Sequence, residues 1–449
     1  MLIIEIETGG IAVVTIDMPG RSMNVLDLPL AEALAEMAEA MANNPDVSGV
    51  ILTSAKSDFI AGADLSMVEG FLAPGQTPVE ISATVSRIGS AFRKIERMGK
   101  PIVVATPGTA LGAGLELMMA CHYRIASRNE RAVFGLPEVG LGILPAAGGT
   151  QRLPRIVGLE MALPILSTGK PVNAEKALEI GLLDAIAEAD DLIPAARRAL
   201  AEGRVPDAAP WDSKGFRSPG QDVNGTDGFN LFIAANAAVA ADPGPAYPAP
   251  GAVLSCVWEG LRLPIDKALE LEWRYFAKLA TGTVAPALIS LRFFAPRRAA
   301  KAGLGSPDQQ FPLARVCRAA IVAEAKRLRD TGISTNRINN VALAMDLKPA
   351  PLPESTSVGD FSTVEPMNDA ARRSLARKLV VAGALAVAGE APENPDIANV
   401  IAVELAGYPA WTGGPLALIE REGLQTLVSE AYNEGIAVPT ALNRDDVLS

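Results

Sequence analysis

KPIVVATPGTALGAGLELMMACHYRIAS, residues 100 to 127, is the stretch whose reading decides the fold. The β-branched run after Lys100 reads as a buried strand, and HYRIAS reads as a second one. Between them the chain turns through Gly108, Gly112 and Gly114 into a helix beginning at about Ala113. A helix that starts there leaves its first N–H groups unsatisfied and pointing out of the turn, where they can bind a developing negative charge. Glu116 sits in that first turn, inside a run of glycine, leucine, methionine and alanine. An ionised carboxylate in such surroundings costs several kcal/mol at least without partners, so the position calls for pairing, protonation or chemistry.

The same alternation extends outward. IAVVTID and VSGVILTS are further strand candidates, and LPLAEALAEMAEAMANN and ISATVSRIGSAFRKIERMG carry helical periodicity. MLIIEIETGGIAVVTID alternates like a hairpin with Gly9-Gly10 as its turn. Residues 1–200 are therefore expected to be an α/β domain of βαβ units with a largely parallel sheet. After Gly203 the composition shifts to proline, glycine and aspartate, so residues 201–302 are read as a linker with connecting helices. Residues 303–449 are read as an all-α domain, interrupted by KPAPLPESTSVGD.

Composition narrows the function classes. The chain has 449 residues and 49% apolar content, enough for two or three domains. A formal net charge of -11 disfavours nucleic acid or an anionic membrane surface as the main partner. The three cysteines, Cys121, Cys256 and Cys317, are widely spaced and there is one histidine, so neither a disulfide framework nor a Cys/His zinc site is expected, and no metal. A reducing cytoplasm fits. The N-terminus does not read as a signal peptide. LVVAGALAVAG, from Leu379, is too short to span a bilayer, so no integral membrane segment is expected.

Beyond Glu116, FGLPEVGLGILPAAGGTQRLPR brings a second acid, Glu138, after Pro137 in a glycine-punctuated loop. Two carboxylates on separate elements can flank one small substrate, and burial with mutual repulsion can split their pKa values into an acid and a base. SDFIAGADLSM, residues 57 to 67, offers another glycine-flanked turn whose N–H groups could complete an oxyanion hole. Singly these signals are weak, since a glutamate in a helix's first turn is usually a structural acid. Their combination, order and spacing are what carry weight.

DFIAGAD, ALGAGLEL, PEVGLGILPAAGGTQRLPR and STGKPVNAEKALEIGLLDAI, in that order, closely resemble the enoyl-CoA hydratase/isomerase (crotonase) superfamily. The resemblance implies a spiral of ββα turns that binds an acyl-CoA thioester. It implies Glu116 and Glu138 as catalytic glutamates and the backbone N–H groups of Ala63 and Ala113 as the oxyanion hole. Arg21, Ser22 and Met23, with Ala61 and Asp64, match the segments that line CoA. The implied reaction is hydration of a 2-enoyl thioester, with Glu116 as base and Glu138 as acid. The same glutamates could instead move the double bond as a 3,2-enoyl-CoA isomerase, and a non-catalytic acyl-CoA-binding or scaffolding subunit is a third reading. Ala113 departs from the family, which usually has glycine there; an added Cβ narrows the approach and would cost energy at positive φ. His122 stands where relatives often carry aspartate, and a structural role is expected for it.

The resemblance continues. The stretch from Trp258 to Gly303 looks like the linker helix of the multifunctional fatty-acid oxidation enzymes. AGYPAWTGGPLALIEREG, residues 406 to 423, looks like their C-terminal 3-hydroxyacyl-CoA dehydrogenase helical domain. The nucleotide-binding domain between these parts is missing, for after Ala302 no strand leads into GxGxxG. No histidine lies beyond His122 to serve as a dehydrogenase base. NAD and dehydrogenase activity are therefore not expected, coenzyme A enters only as part of the substrate, and no other cofactor is implied. A homo-oligomer, or a complex with a thiolase or a separate dehydrogenase, is compatible with the resemblance, and ring-bearing acyl groups are as admissible as straight chains.

Overall fold

The computed structural model describes residues 1–442 except 72, 74, 242–245, 302–310 and 354–368. The first of its two units comprises Met1–Ala237 and Ala249–Thr281; the second comprises Ala238–Pro248 and the chain from Gly282. Among the described residues the first unit carries nine strands: β1 (Leu2–Ile6), β2 (Ile11–Ile16), β3 (Gly49–Ser54), β4 (Ile102–Thr106), β5 (Ala110–Leu111), β6 (Tyr123–Ser127), β7 (Val133–Gly135), β8 (Val172–Asn173) and β9 (Ala185–Ala187). Its helices are α1 (Leu28–Asn43), α2 (Leu65–Phe71), α3 (Pro78–Glu96), α4 (Ala113–Met119), α5 (Gly149–Val157), α6 (Leu159–Thr168), α7 (Ala174–Glu179), α8 (Leu192–Ala201), α9 (Thr226–Ala241), α10 (Pro248–Gly260) and α11 (Ile265–Ala280).

A six-stranded sheet runs β1-β2-β3-β4-β6-β9 and a three-stranded one runs β5-β7-β8. β1 and β2 form the expected hairpin, antiparallel with Leu2 opposite Ile16, and every later pairing in the large sheet is parallel. Gly9 and Gly10, at φ 108° and 83°, supply the left-handed turn. The buried strands β3 and β4 are nearly continuous apolar runs, as a parallel sheet covered on both faces requires.

The order of elements is a repeating ββα spiral. β3 leads through an isolated bridge at Ile60 to α2; β4 leads through β5 to α4; β6 leads through β7 to the turn Pro137–Leu141 and α5. In each repeat the first strand joins the large sheet and the second lies beside its equivalent from the next repeat, as in the parallel pairs Ile60–Ala110 and Ala110–Phe134. The three glycine-rich stretches are thereby stacked side by side.

Residues 201–302 do not form one linker. α10 and α11, up to Thr281, belong to the first unit, because α11 is amphipathic and buries Ile265, Ala268, Leu269 and Phe276. It packs on α3, where Gly89 leaves room for the Trp273 ring; a Cβ there would stand 2.8 Å from the indole. Phe276 meets Phe71 edge-on at 5.6 Å. The expected boundary at 302/303 lies outside the described residues.

The second unit is helical: α12 (Val284–Ile289), α13 (Ala295–Lys301), α14 (Phe311–Asp330), α15 (Thr335–Ala344), α16 (Asp369–Gly389), α17 (Pro395–Ala406), α18 (Pro415–Glu422) and α19 (Leu424–Glu434). LVVAGALAVAG is the buried part of α16, and Gly383 admits the ring of Tyr408, whose hydroxyl donates to Val380 O at 3.0 Å. Among the described residues no single helix is long and apolar enough to cross a membrane. Most of KPAPLPESTSVGD, residues 354–360, lies outside the described residues.

Candidate active site

Glu116 is 2% exposed and points from α4 onto the loop that precedes α5. Its Oε1 accepts hydrogen bonds from the backbone N–H groups of Ala147 at 2.8 Å and Gly149 at 2.7 Å. A Cβ on Gly149 would stand 2.9 Å from that same oxygen, so glycine is needed for the approach. Burial pushes the carboxyl up to about 7, against the pull of the two N–H groups and of the Arg152 charge.

Glu138 projects from the 3-10 turn Pro137–Leu141, which Gly142 closes in the left-handed region at φ 77°. The residue as a whole is half-buried, but its Oε2 is sealed from solvent and has no hydrogen-bond partner among the described residues. Burial first, and then the charge of Glu116, raise this carboxyl well above the usual carboxylate range. A buried polar atom without a partner costs roughly 1–3 kcal/mol, which a purely structural acid would not be expected to bear.

Two backbone N–H groups in the adjoining turns lack an acceptor among the described residues. Gly112, the residue before α4, has φ 51° and donates to Gly135 O at 2.9 Å. This turn leaves the N–H of Ala113, the first helical residue, without an acceptor among the described residues. In the neighbouring repeat Leu26 N donates to Gly62 O and Asp64 N to Leu26 O, which turns the Ala63 N–H the other way, also without an acceptor among the described residues. The segments touch: a Cβ on Gly112 would stand 3.7 Å from Gly62 Cα, and one on Gly114 would stand 2.4 Å from Ile60 O. Ala113 itself is not among the residues of positive φ, so its methyl group carries no backbone strain; the strained conformation falls on Gly112.

Under the loop lies an ion pair with no exposed surface. Arg152 donates to Glu96 through Nε at 2.6 Å and Nη2 at 2.9 Å, and through Nη1 to Ala147 O at 2.5 Å. The arrangement can do acid–base chemistry: two buried carboxylates of unequal proton affinity beside a pair of N–H donors unpaired among the described residues.

Comparison with known sequences bears on this geometry. The family described as enoyl-CoA hydratase/isomerase matches residues 6–206. Residues 6–206 are an enoyl-CoA hydratase/isomerase domain. The fatty acid oxidation complex subunit alpha of Shewanella putrefaciens is 37% identical over 289 residues, covering 63% of this chain and 40% of that protein. That of Shewanella halifaxensis is 35% identical over 305 residues, covering 67% and 42%. The chain thus spans about 40% of the length of the curated relatives it matches. Among solved structures, Pseudomonas aeruginosa DspI is 32% identical, with a TM-score of 0.41 over 46% of this chain and 81% of that one. An enoyl-CoA hydratase/isomerase from Pseudoalteromonas atlantica is 22% identical, with a TM-score of 0.44 over 65% of this chain and 96% of that one.

In the hydratase/isomerase domain the remaining sequence-derived residues fall in two groups. Asn24, buried, ties the segment that holds Arg21, Ser22 and Met23 to the core: its Nδ2 donates to Ile16 O at 3.1 Å and to Ser54 Oγ at 3.0 Å, and its carbonyl accepts from Ala61 N at 3.0 Å. Met23 is exposed, Ser22 is exposed, and Arg21 pairs with the buried Asp64 at 2.5 Å. Burial would raise Asp64, but hydrogen bonds from Ser66 and Arg21 outweigh it and hold its carboxyl low. His122 has both ring nitrogens engaged, Nδ1 accepting from Ile102 N at 3.3 Å and Nε2 facing Glu96 O at 3.0 Å, and burial lowers its pKa. No free nitrogen is left to it for proton transfer.

One charged group of the first unit escaped the sequence reading. Glu272, fully buried on α11, accepts from Gly148 N at 2.6 Å through Oε1 and from Thr150 N at 2.9 Å through Oε2. Burial and then the Glu116 charge push it up to about 8. A signal was present: Glu272 falls in register with Ala268, Leu269 and Phe276 on the apolar stripe of its helix, where an acid has no place without partners.

Proposed function

We propose that the chain is an enoyl-CoA hydratase, adding water across the 2,3 double bond of an enoyl-CoA thioester in fatty-acid or related acyl-CoA degradation. The observation that carries this reading is the pairing of Glu116, held by two N–H groups, with Glu138, whose Oε2 is sealed and unpartnered, beside the free N–H groups of Ala63 and Ala113.

In this reading the thioester carbonyl accepts from Ala63 N and Ala113 N. Attack at the β-carbon drives negative charge onto that oxygen, and donors fixed in place before reaction stabilise the enolate-like transition state by several kcal/mol. Glu116 takes a proton from the attacking water, since its two N–H partners favour the ionised form. Glu138, whose environment favours the protonated form, delivers its proton to the α-carbon. Arg21, Ser22, Met23, Ala61 and Asp64 line the path of the CoA moiety, with Arg21 offering charge to its phosphates.

The test is the absorbance of the conjugated thioester on mixing the purified protein with crotonyl-CoA, run beside a 3-enoyl-CoA. Loss of absorbance with the first is expected. Appearance of absorbance with the second, and no loss with the first, would replace the hydratase by an isomerase; binding without either change would leave a non-catalytic acyl-CoA-binding subunit.

A further inference from the structure

The four consecutive N–H groups from Ala147 to Thr150 are divided between two acids. Ala147 and Gly149 donate to Glu116 Oε1, whereas Gly148 and Thr150 donate to Glu272 Oε1 and Oε2. The Thr150 hydroxyl adds a further short bond to Glu272 Oε2. The backbone strip therefore lies between two carboxylates that grip alternate peptides from opposite sides. Because a peptide plane is rigid, rotating the one that carries the Gly148 N–H away from Glu272 also swings Ala147 O away from Arg152 and shifts the α-carbons of Ala147 and Gly148, whose adjoining N–H groups hold Glu116. The strip has little stiffness of its own, since two of its four residues are glycine and Gly148 sits at φ 109°.

We propose that Glu272 is a positioning residue for Glu116, fixing the orientation and the basicity of the catalytic carboxylate through the Ala147–Thr150 backbone. The proposal rests on the reading of Glu116 as the base. Glu272 comes from an element more than a hundred residues beyond the glutamates. α11 brings it there by packing on α3 through Trp273 and Gly89. The titratable and charged groups facing it are Glu116 from α4, Glu138 from the turn Pro137–Leu141, Arg152 and Arg155 from α5, and Cys256 from α10. A glutamine in its place leaves the Thr150 N–H facing an amide and loosens the strip whose other N–H groups hold Glu116.

The experiment compares Glu272→Gln with Glu116→Gln in the full chain, measuring crotonyl-CoA hydration across pH together with thermal unfolding. In Glu272→Gln, kcat is expected to fall roughly tenfold, with KM changed by less than about threefold, because misplacement of the base acts on the reacting geometry. The acid limb of its kcat/KM profile is expected to move to higher pH, because loosened Ala147 and Gly149 N–H groups hold the ionised form of Glu116 less well. A folded Glu272→Gln with wild-type kcat and an unmoved limb overturns the inference. If Glu272→Gln does not fold, Thr150→Val, which takes one donor from Glu272, serves instead: reduced kcat at unchanged KM supports the inference and wild-type kcat overturns it. Wild-type hydration by Glu116→Gln would sink the hydratase mechanism itself, which separates the two failures.

Discussion

A β-carbon on Gly112 would stand 2.5 Å from Glu138 Oε1, so the residue that opens α4 also sets the space in which the Glu138 carboxylate lies. Its φ of 51° is one that L side chains rarely adopt. Gly112→Ala is expected to displace Glu138 and lower hydration kcat by about tenfold or more, with a stability loss of about 1–3 kcal/mol from backbone strain. Steady-state kinetics and thermal unfolding on one preparation check both parts.

Arg152 and Glu96 form a bidentate pair with no exposed surface, and Arg152 also supports Ala147 O. Arg152→Met leaves Glu96 buried with part of its compensation gone, for Arg93 still approaches it at 3.2 Å. A loss of about 3–5 kcal/mol is expected, read from the urea midpoint, and the double variant with Glu96→Gln should recover part of it. An Arg152→Met protein as stable as wild type would refute the role given to the pair.

Glu116 has a pKa raised from 4.5 to about 7 in the folded protein. Activity should follow its ionisation, with kcat/KM for hydration rising as pH increases through about 7. Stability should move the other way. A carboxyl whose folded pKa is raised binds its proton more tightly when folded, so its contribution is complete below the unfolded value and is lost as pH rises through the folded one. Between pH 4.5 and 7 the loss is about 3 kcal/mol, and Glu116→Gln should remove that part of the pH dependence. Denaturant titrations of both proteins at several pH values measure the difference.

In the helical unit, Gly414 at φ 103° would place a Cβ 2.5 Å from that of Asn399, whose carbonyl accepts from Leu416 N at 2.8 Å at the start of α18. Gly414→Ala is expected to cost about 1–3 kcal/mol from the backbone conformation alone, and more if Asn399 is displaced. Thermal unfolding detects it; an unchanged midpoint would contradict the close packing described for this turn.

Much of the first unit was legible because its chemistry lies in contiguous glycine-bearing loops. Strand, turn and helix follow one another within each repeat, so Glu116, Glu138, Ala63 and Ala113 could be singled out from local pattern and resemblance. Glu272 could not be paired with Glu116 in the same way, since nothing local links two acids on elements so far apart. Its helix followed a proline- and glycine-rich stretch and was read as part of a linker. Only tertiary packing of α11 on α3 assigns it to the first unit. The effect of Ala113 was equally hidden, because which residue of the Leu111–Gly114 turn takes positive φ depends on the backbone bond from Gly112 to Gly135 O.

The most direct test of the account is hydration of crotonyl-CoA by wild type, Glu116→Gln and Glu138→Gln, with CoA-ester affinity measured on the same samples. Each substitution should lower kcat by roughly 10²–10⁴-fold, the usual contribution of a positioned acid or base, while affinity changes little. Either variant turning over at the wild-type rate would contradict the assignment of acid and base to these two carboxylates.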